Sequence, residues 1–231
     1  MKIAIVTGAS SGIGHHVCDF LAKENYYIHG IDIVTPASQN CHNFQKLDCA
    51  NYKKVQRFFK TLKKVDVAVN CAGILCVRKN ILELDENDLL EAFYSNFLST
   101  FNMVKEEIQI MRKVKGGKII NISSILGHIG VKNSITYAAS KASIVALTRT
   151  AAAENVEHGI HINSISPASI NTPLIANKNK NNPKDYSKIY PIGHQGTTSD
   201  VVSVVQMLIN NNFMTGSDIV LDGGLCNIFN L

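Results

Sequence analysis

The sequence predicts an α/β fold, a doubly wound sheet of about seven parallel strands with helices on both faces. Three observations carry this. Short apolar runs alternate with amphipathic, helix-periodic segments along the chain of 231 residues. The first run, residues 3–6, passes through a turn of small residues straight into a segment with Ile13, Val17, Phe20 and Leu21 at helical spacing. The polar and small-residue clusters then fall at the ends of apolar runs, where a parallel sheet binds its ligands.

The first turn reads Thr7-Gly8-Ala9-Ser10-Ser11-Gly12-Ile13-Gly14. Glycine permits the close backbone approach that larger residues forbid. The helix behind it aims free N–H groups and the positive end of its dipole into the turn, a site for phosphate or pyrophosphate. The second strand, residues 28–31, ends at Asp32, at the distance beyond Gly14 where a dinucleotide fold places the carboxylate that grips the adenosine ribose. A carboxylate accepts from both ribose hydroxyls and repels a 2′-phosphate, so NAD(H) is expected in preference to NADP(H). Residues 34–43 read as loop, without the usual crossover helix. Residues 44–47 form a short strand ending in Asp48, a candidate for the adenine amino group.

Residues 51–62 are amphipathic, and 65–69 form a buried strand running into Asn70-Cys71-Ala72-Gly73, where backbone can again approach a ligand. Two helices are expected over 86–93 and 96–114, the second ended by Gly116-Gly117. A strand at 118–122 leads into Ser123-Ser124. A long Ala-rich helix covers 136–155, and the strand at 160–165 is closed by Pro167. Residues 176–190, rich in Asn and Lys, interrupt the alternation as a lid or insertion. The last helix, 199–208, is expected to be capped by Ser199 or Asp200, and the last strand is 218–221. All of this suits a single domain.

Composition narrows the function classes. Hydrophobic residues make up 45% of the chain, enough for a sizeable core. The net charge of +5 comes from dispersed lysines, so no nucleic-acid partner is expected. The six cysteines have neither C-x-x-C nor zinc-ligand spacing; they read as reduced thiols, with no metal site. The chain opens directly on a strand, and no run reaches membrane-spanning length, so a cytoplasmic protein without membrane contact is expected.

Tyr137 and Lys141 lie four apart near the start of the long helix, on one face. A free phenol ionises near about pH 10, too high for a base at neutrality. A neighbouring cation, helped by a positively charged nicotinamide, favours the phenolate. Ser124 stands at the end of a buried strand, where its hydroxyl can donate to a carbonyl. Asn96 sits inside an apolar helix, an unfavourable place unless its side chain has work such as holding a water.

With these residues in place the chain resembles the short-chain dehydrogenase/reductase family from end to end. The pattern T-G-x-x-x-G-x-G matches Thr7 to Gly14, and N-x-A-G matches Asn70 to Gly73. The active-site serine matches Ser124, Y-x-x-x-K matches Tyr137 and Lys141, and the helical asparagine matches Asn96. The element P-G-x-x-x-T appears as Pro167 to Thr172 with Ala168 in place of glycine.

The resemblance implies a Rossmann-type sheet and a catalytic set of Asn96, Ser124, Tyr137 and Lys141. Tyr137 is the implied general acid/base and Ser124 polarises the reacting oxygen. Lys141 binds the nicotinamide ribose and lowers the Tyr137 pKa, and Asn96 holds a water that relays protons. The implied cofactor contacts begin with Gly8, Ser10, Ser11, Gly12, Ile13 and Gly14. They continue with Asp32, Ile33, Asp48, Cys49, Asn70, Ala72 and Gly73, and end with Tyr137, Lys141, Pro167, Ile170 and Thr172. Ser124, Leu126, Tyr137, Ala168 and Leu174 are the implied substrate contacts, and a homotetramer or homodimer the implied assembly. The implied activity is NAD(H)-dependent interconversion of a secondary alcohol and a ketone. A dihydrodiol-type dehydrogenase and a 3-oxoacyl-(acyl-carrier-protein) reductase are alternatives within the family. A non-catalytic NAD(H)-binding sensor or scaffold is the alternative outside it.

Overall fold

Apolar runs too short for helices pair side by side, and in the computed structural model, which describes residues 1–36, 40–179 and 185–228, seven of them form one sheet. They are β1 (Ile3–Thr7), β2 (Tyr27–Asp32), β3 (Asn43–Lys46), β4 (Val67–Asn70), β5 (Gly117–Ile122), β6 (Ile160–Pro167) and β7 (Asp218–Leu221). The order across the sheet is β3-β2-β1-β4-β5-β6-β7, and every pair is parallel. The chain therefore starts in the middle, runs out to β3, and returns to pair β4 against the far side of β1. That reversal is where a doubly wound sheet opens a crevice beyond its carboxyl ends.

The helices are α1 (Gly12–Lys23), α2 (Tyr52–Phe59), α3 (Glu86–Ala92), α4 (Ser99–Val114), α5 (Ile135–Ala153), α6 (Pro173–Asn179) and α7 (Thr198–Asn210). Strand pleat divides the core between the two faces. Ala4 and Val6 of β1 face Val17, Leu21, Val201 and Val205 of α1 and α7. Ile5 faces Val55, Met103, Met111 and Ala152 of α2, α4 and α5 on the other side. Each fully buried Ile, Leu or Met contributes about 1.5–3 kcal/mol relative to exposure.

Several boundaries differ from expectation. The two helices expected over 86–114 are one continuous rod, joined through a π-helical segment at Phe93–Leu98. It ends not on glycine but on Lys115, in the left-handed conformation at φ 53°. Gly117 instead packs against Met111, whose sulfur would have to move aside for a Cβ placed there at 2.3 Å. The last helix is capped by Thr197, whose side chain accepts from the Asp200 N–H while Asp200 reaches back to Thr197. Asp200 is thus the third helical residue rather than the cap.

The stretch 176–190 begins inside α6 and ends on buried Tyr190, whose hydroxyl accepts from the Ser169 N–H at 3.0 Å. Residues 180–184 of the expected lid or insertion lie outside the described residues. Among the described residues no helix is long and apolar enough to cross a membrane.

Candidate active site

A cleft of ≈ 310 Å³ opens over the carboxyl ends of β1, β2 and β4. Its floor is the start of α1. Ser11, the cap residue, makes no side-chain cap hydrogen bond, so the first N–H groups of α1 are left for a ligand. A Cβ on Gly14 would stand 2.2 Å from the Gly8 carbonyl oxygen, so the turn can hug the helix only with glycine there. Gly8, Ser11, Gly12, Ile13 and Gly14 line this floor. Thr7 fixes the opposite lip: its hydroxyl accepts from the Ala72 N–H at 3.0 Å, and Ala72 and Gly73 line the cleft.

Asp32 stands at one end of the cleft, held by its neighbours. One carboxylate oxygen accepts from the Ser10 N–H at 3.0 Å and the other from the Val34 N–H at 3.1 Å. Ile33, Asp48 and Cys49 close that end. Asp48 accepts from the Ala50 N–H at 2.9 Å and from the Tyr94 hydroxyl at 3.4 Å. Ser10 does not line the cleft; its hydroxyl is bonded to the Val34 carbonyl and supports the Asp32 corner. A glycine cradle closed by backbone, free helix N–H donors and an accepting carboxylate at the end of β2 are the groups a dinucleotide needs, and these residues fit one.

A second cavity of ≈ 110 Å³ adjoins the first and holds Ser124, Tyr137, Lys141, Pro167, Ala168, Ile170, Thr172 and Leu174. Ser124 caps a short 3₁₀ turn, its hydroxyl accepting from the Leu126 N–H at 3.2 Å. Leu126 itself does not line the cavity. The neighbouring Ser124 hydroxyl favours the ionised form of the Tyr137 phenol, yet burial outweighs this and pushes the phenol up to about 12. Lys141 Nζ donates to the Ile122 carbonyl at 3.0 Å and lies 5.8 Å from the centre of the Tyr137 ring. Burial brings the ammonium down to about 8, partly offset by the Cys71 and Cys76 thiols. In the protein alone, burial sets the direction for both groups.

The comparisons with known proteins agree with this geometry. The family model described as enoyl-(acyl carrier protein) reductase matches residues 8–226. The chain belongs to the short-chain dehydrogenase/reductase family. Cyclohexanol dehydrogenase of Acinetobacter sp. (strain SE19) is 32% identical over 238 residues, covering 96% of this chain and 94% of that protein. A 3-oxoacyl-(acyl-carrier-protein) reductase of Chlamydia pneumoniae is 35% identical over 187 residues, 80% of this chain and 73% of its own. The structure of ElxO with NADP bound superposes with a TM-score of 0.89 at 30% identity, covering 98% and 99% of the two chains. The protein is thus an oxidoreductase of a family that acts on hydroxyl and keto groups with NAD(P)(H).

In this short-chain dehydrogenase/reductase Asn96 lies in the π-helical segment and is fully buried. Widened turns of this kind recur at functional sites. Its side chain accepts from the Ile74 N–H at 2.8 Å and donates to the Ser140 hydroxyl at 3.1 Å and the Cys76 sulfur at 3.4 Å. Its carbonyl accepts from the Thr100 and Ser99 hydroxyls. Both ends of the amide expected to hold a relay water are thus engaged with protein partners. A Cβ on Gly73 would stand 2.8 Å from the Asn96 amide oxygen and 3.4 Å from Lys141 Nζ.

Asn70 also lies outside the cavities. It is buried in the sheet, where its amide nitrogen donates to Glu107 and to Asn121, each at 3.0 Å. Asn121 donates in turn to the Thr148 hydroxyl at 3.0 Å. Glu107, fully buried on α4, is a group that sequence reasoning missed. Burial pushes its carboxyl up to about 8, against the lowering effect of the Asn70 hydrogen bond. Helical position gives only a weak signal: Glu107 shares a face with buried Met103, Ile110 and Met111.

Proposed function

We propose that this protein is an NAD(H)-dependent oxidoreductase interconverting a secondary alcohol and a ketone, with Tyr137 as general acid/base. One observation carries the reading: Tyr137, Ser124 and Lys141 line one cavity, and that cavity adjoins the glycine cradle. The nicotinamide cofactor, when bound, supplies or accepts the hydride. The protein's own residues manage the proton. In ketone reduction Ser124 orients the carbonyl oxygen and Tyr137 delivers a proton to it. Burial keeps that proton on the phenol until oxygen develops charge. In alcohol oxidation the phenolate must form first, and the charge on Lys141 opposes the burial cost of forming it. The Ile122 carbonyl holds Lys141 in place.

Asp32 supports NAD(H) over NADP(H), since a 2′-phosphate would meet a fixed carboxylate with no cation paired to it among the described residues. The substrate cavity is mainly apolar, with Ile74, Leu75, Ile122, Leu174 and Ile175 on its walls, which favours an uncharged carbonyl compound. Exposed Leu89, Leu90, Tyr94 and Phe101 on the α3–α4 rod support a homotetramer or homodimer formed along that rod. A second reading, a 3-oxoacyl-(acyl-carrier-protein) reductase, is favoured by the 35% identity with the Chlamydia pneumoniae protein.

The test is turnover of secondary alcohols, cyclic ketones and 3-oxoacyl thioesters with each cofactor, repeated with Tyr137→Phe. Tyr137→Phe is expected to lower kcat/KM by about 10²–10⁴ while NADH affinity stays within about threefold. Wild-type protein inert on every substrate with both cofactors, or Tyr137→Phe retaining its turnover, overturns the reading.

A further inference from the structure

Glu107 takes no part in the mechanism above, yet it is joined to the cofactor cleft by two steps. Its carboxyl accepts from Asn70, the last residue of β4, and the next three residues, Cys71, Ala72 and Gly73, form the lip of the cleft. Asn70 has two side-chain partners, Glu107 and Asn121, and both take a hydrogen from the same amide nitrogen. The lip is therefore held from behind by Glu107 on α4 and from the front by Thr7 on β1. It also packs on Lys141, since a Cβ on Gly73 would approach its Nζ to 3.4 Å.

We infer that Glu107 is a positioning residue for dinucleotide binding: as a neutral carboxylic acid it leaves Asn70 shared with Asn121 and the Cys71–Gly73 lip in place, and as a carboxylate it draws Asn70 toward itself and displaces the lip. A neutral acid costs little to bury even though Glu107 Oε1 has no partner among the described residues, whereas a carboxylate with no solvent access needs a cation or several donors. Asn70 supplies a single one. The elements packed on α4 bring Asn70 from β4, Asn121 from β5 and Thr148 from α5 into the cluster, none of them charged. The stretch before α2 brings the Cys49 thiol, which burial pushes up and keeps protonated. Among the described residues no Lys, Arg or His charge acts on Glu107, whose proton is held to about pH 8 by burial. Above that pH the buried charge gains relief only if donors move toward it, and Asn70 is the donor nearest to hand.

This inference rests on the dinucleotide site proposed above. Its test is the Kd for NAD+ of wild type and of Glu107→Gln at pH 7 and pH 9. Gln is the neutral isostere, so the two proteins are expected to agree within about twofold at pH 7. At pH 9 Glu107→Gln is expected to bind up to about tenfold more tightly than wild type, one pH unit past the carboxyl midpoint. Lys141 titrates in the same range in both proteins, so the ratio between them isolates Glu107. An equal ratio at the two pH values overturns the inference while leaving the dinucleotide site standing. Wild type that fails to bind NAD+ at pH 7 overturns the site itself. Should Glu107→Gln not fold, wild type with carboxyl-¹³C glutamate decides. A single glutamate resonance with a midpoint near 8 is expected, and midpoints confined to the ordinary range near 4.3 overturn the inference.

Discussion

Replacing Asp32 with Asn tests the cofactor assignment most directly. The carboxylate is fixed by two backbone N–H groups, at 3.0 Å from Ser10 and 3.1 Å from Val34, so it cannot swing away from an approaching charge. A 2′-phosphate carries about two negative charges at neutral pH, and one within about 5 Å of a carboxylate feels ~2 kcal/mol of repulsion even at the dielectric constant of water. Asn removes that repulsion while keeping an oxygen for one of the two N–H groups. It also exchanges a charge-assisted hydrogen bond to the ribose of NAD(H) for a neutral one, worth ~1 kcal/mol. Together the ratio of Kd for NADP+ to Kd for NAD+ should fall by roughly 10²-fold, since each ~1.4 kcal/mol is a factor of ten. Titration of each dinucleotide against both proteins, at low ionic strength and again at high, reads this out. The wild-type preference should shrink with salt, because the corner is partly exposed and the repulsion is screened. A ratio that moves by less than threefold on substitution would show that Asp32 does not choose the cofactor.

Other perturbations follow from the same contacts. Glu107 keeps its proton to about pH 8 when folded, against 4.5 as its ordinary value. Between those values the unfolded chain has released a proton that the folded chain retains, so stability falls as pH rises from 4.5 to 8 and is flat beyond. Thermal melts of wild type across pH 5 to 8 should carry that slope, and melts of Glu107→Gln should lack its share of it. Asn96→Ala strips the acceptor from the Ile74 N–H and a donor from Ser140, a buried loss of ~2 kcal/mol that should lower Tm by roughly 5 °C. Thr197→Ala removes the cap of α7 and should cost ~1 kcal/mol, about 2–4 °C in Tm, with turnover unchanged because α7 packs away from both cavities.

The path from strand to glycine turn to helix at Thr7–Gly14 was legible because backbone geometry dictates it locally. The seven strands were legible because runs buried on both faces are continuously apolar. The Thr197-x-x-Asp200 box was written in the sequence too, but Ser199 and Asp200 competed as caps, and only the backbone shows which oxygen the N–H groups meet. Other features were not legible because distant segments create them. Glu106 and Glu107 are neighbours on one helix, and an acid there ordinarily faces water. Instead Glu106 meets the Tyr52 hydroxyl at 2.9 Å and Glu107 meets Asn70, partners supplied by α2 and β4. That Ser124, Tyr137 and Lys141 come together in one cavity was legible, since strand end and helix face fix them. The direction in which burial pushes the Tyr137 phenol was not legible, because burial depends on walls built by Pro167, Ile170 and Leu174, far away in sequence.

The widened turn at Phe93–Leu98 has a consequence for how this rod tolerates change in length. A π-helical turn holds one residue more than its α-helical neighbours, so α3 and α4 are out of phase by about 100° relative to an unbroken helix. Deleting a single residue there would knit a regular helix, and in doing so would rotate the outward row of Leu89 and Leu90 about the axis while Met103, Glu107 and Met111 kept their seats. The exposed Leu89 and Leu90 and the buried amide of Asn96 are therefore indexed by the same surplus residue, and neither can be re-registered without disturbing the other.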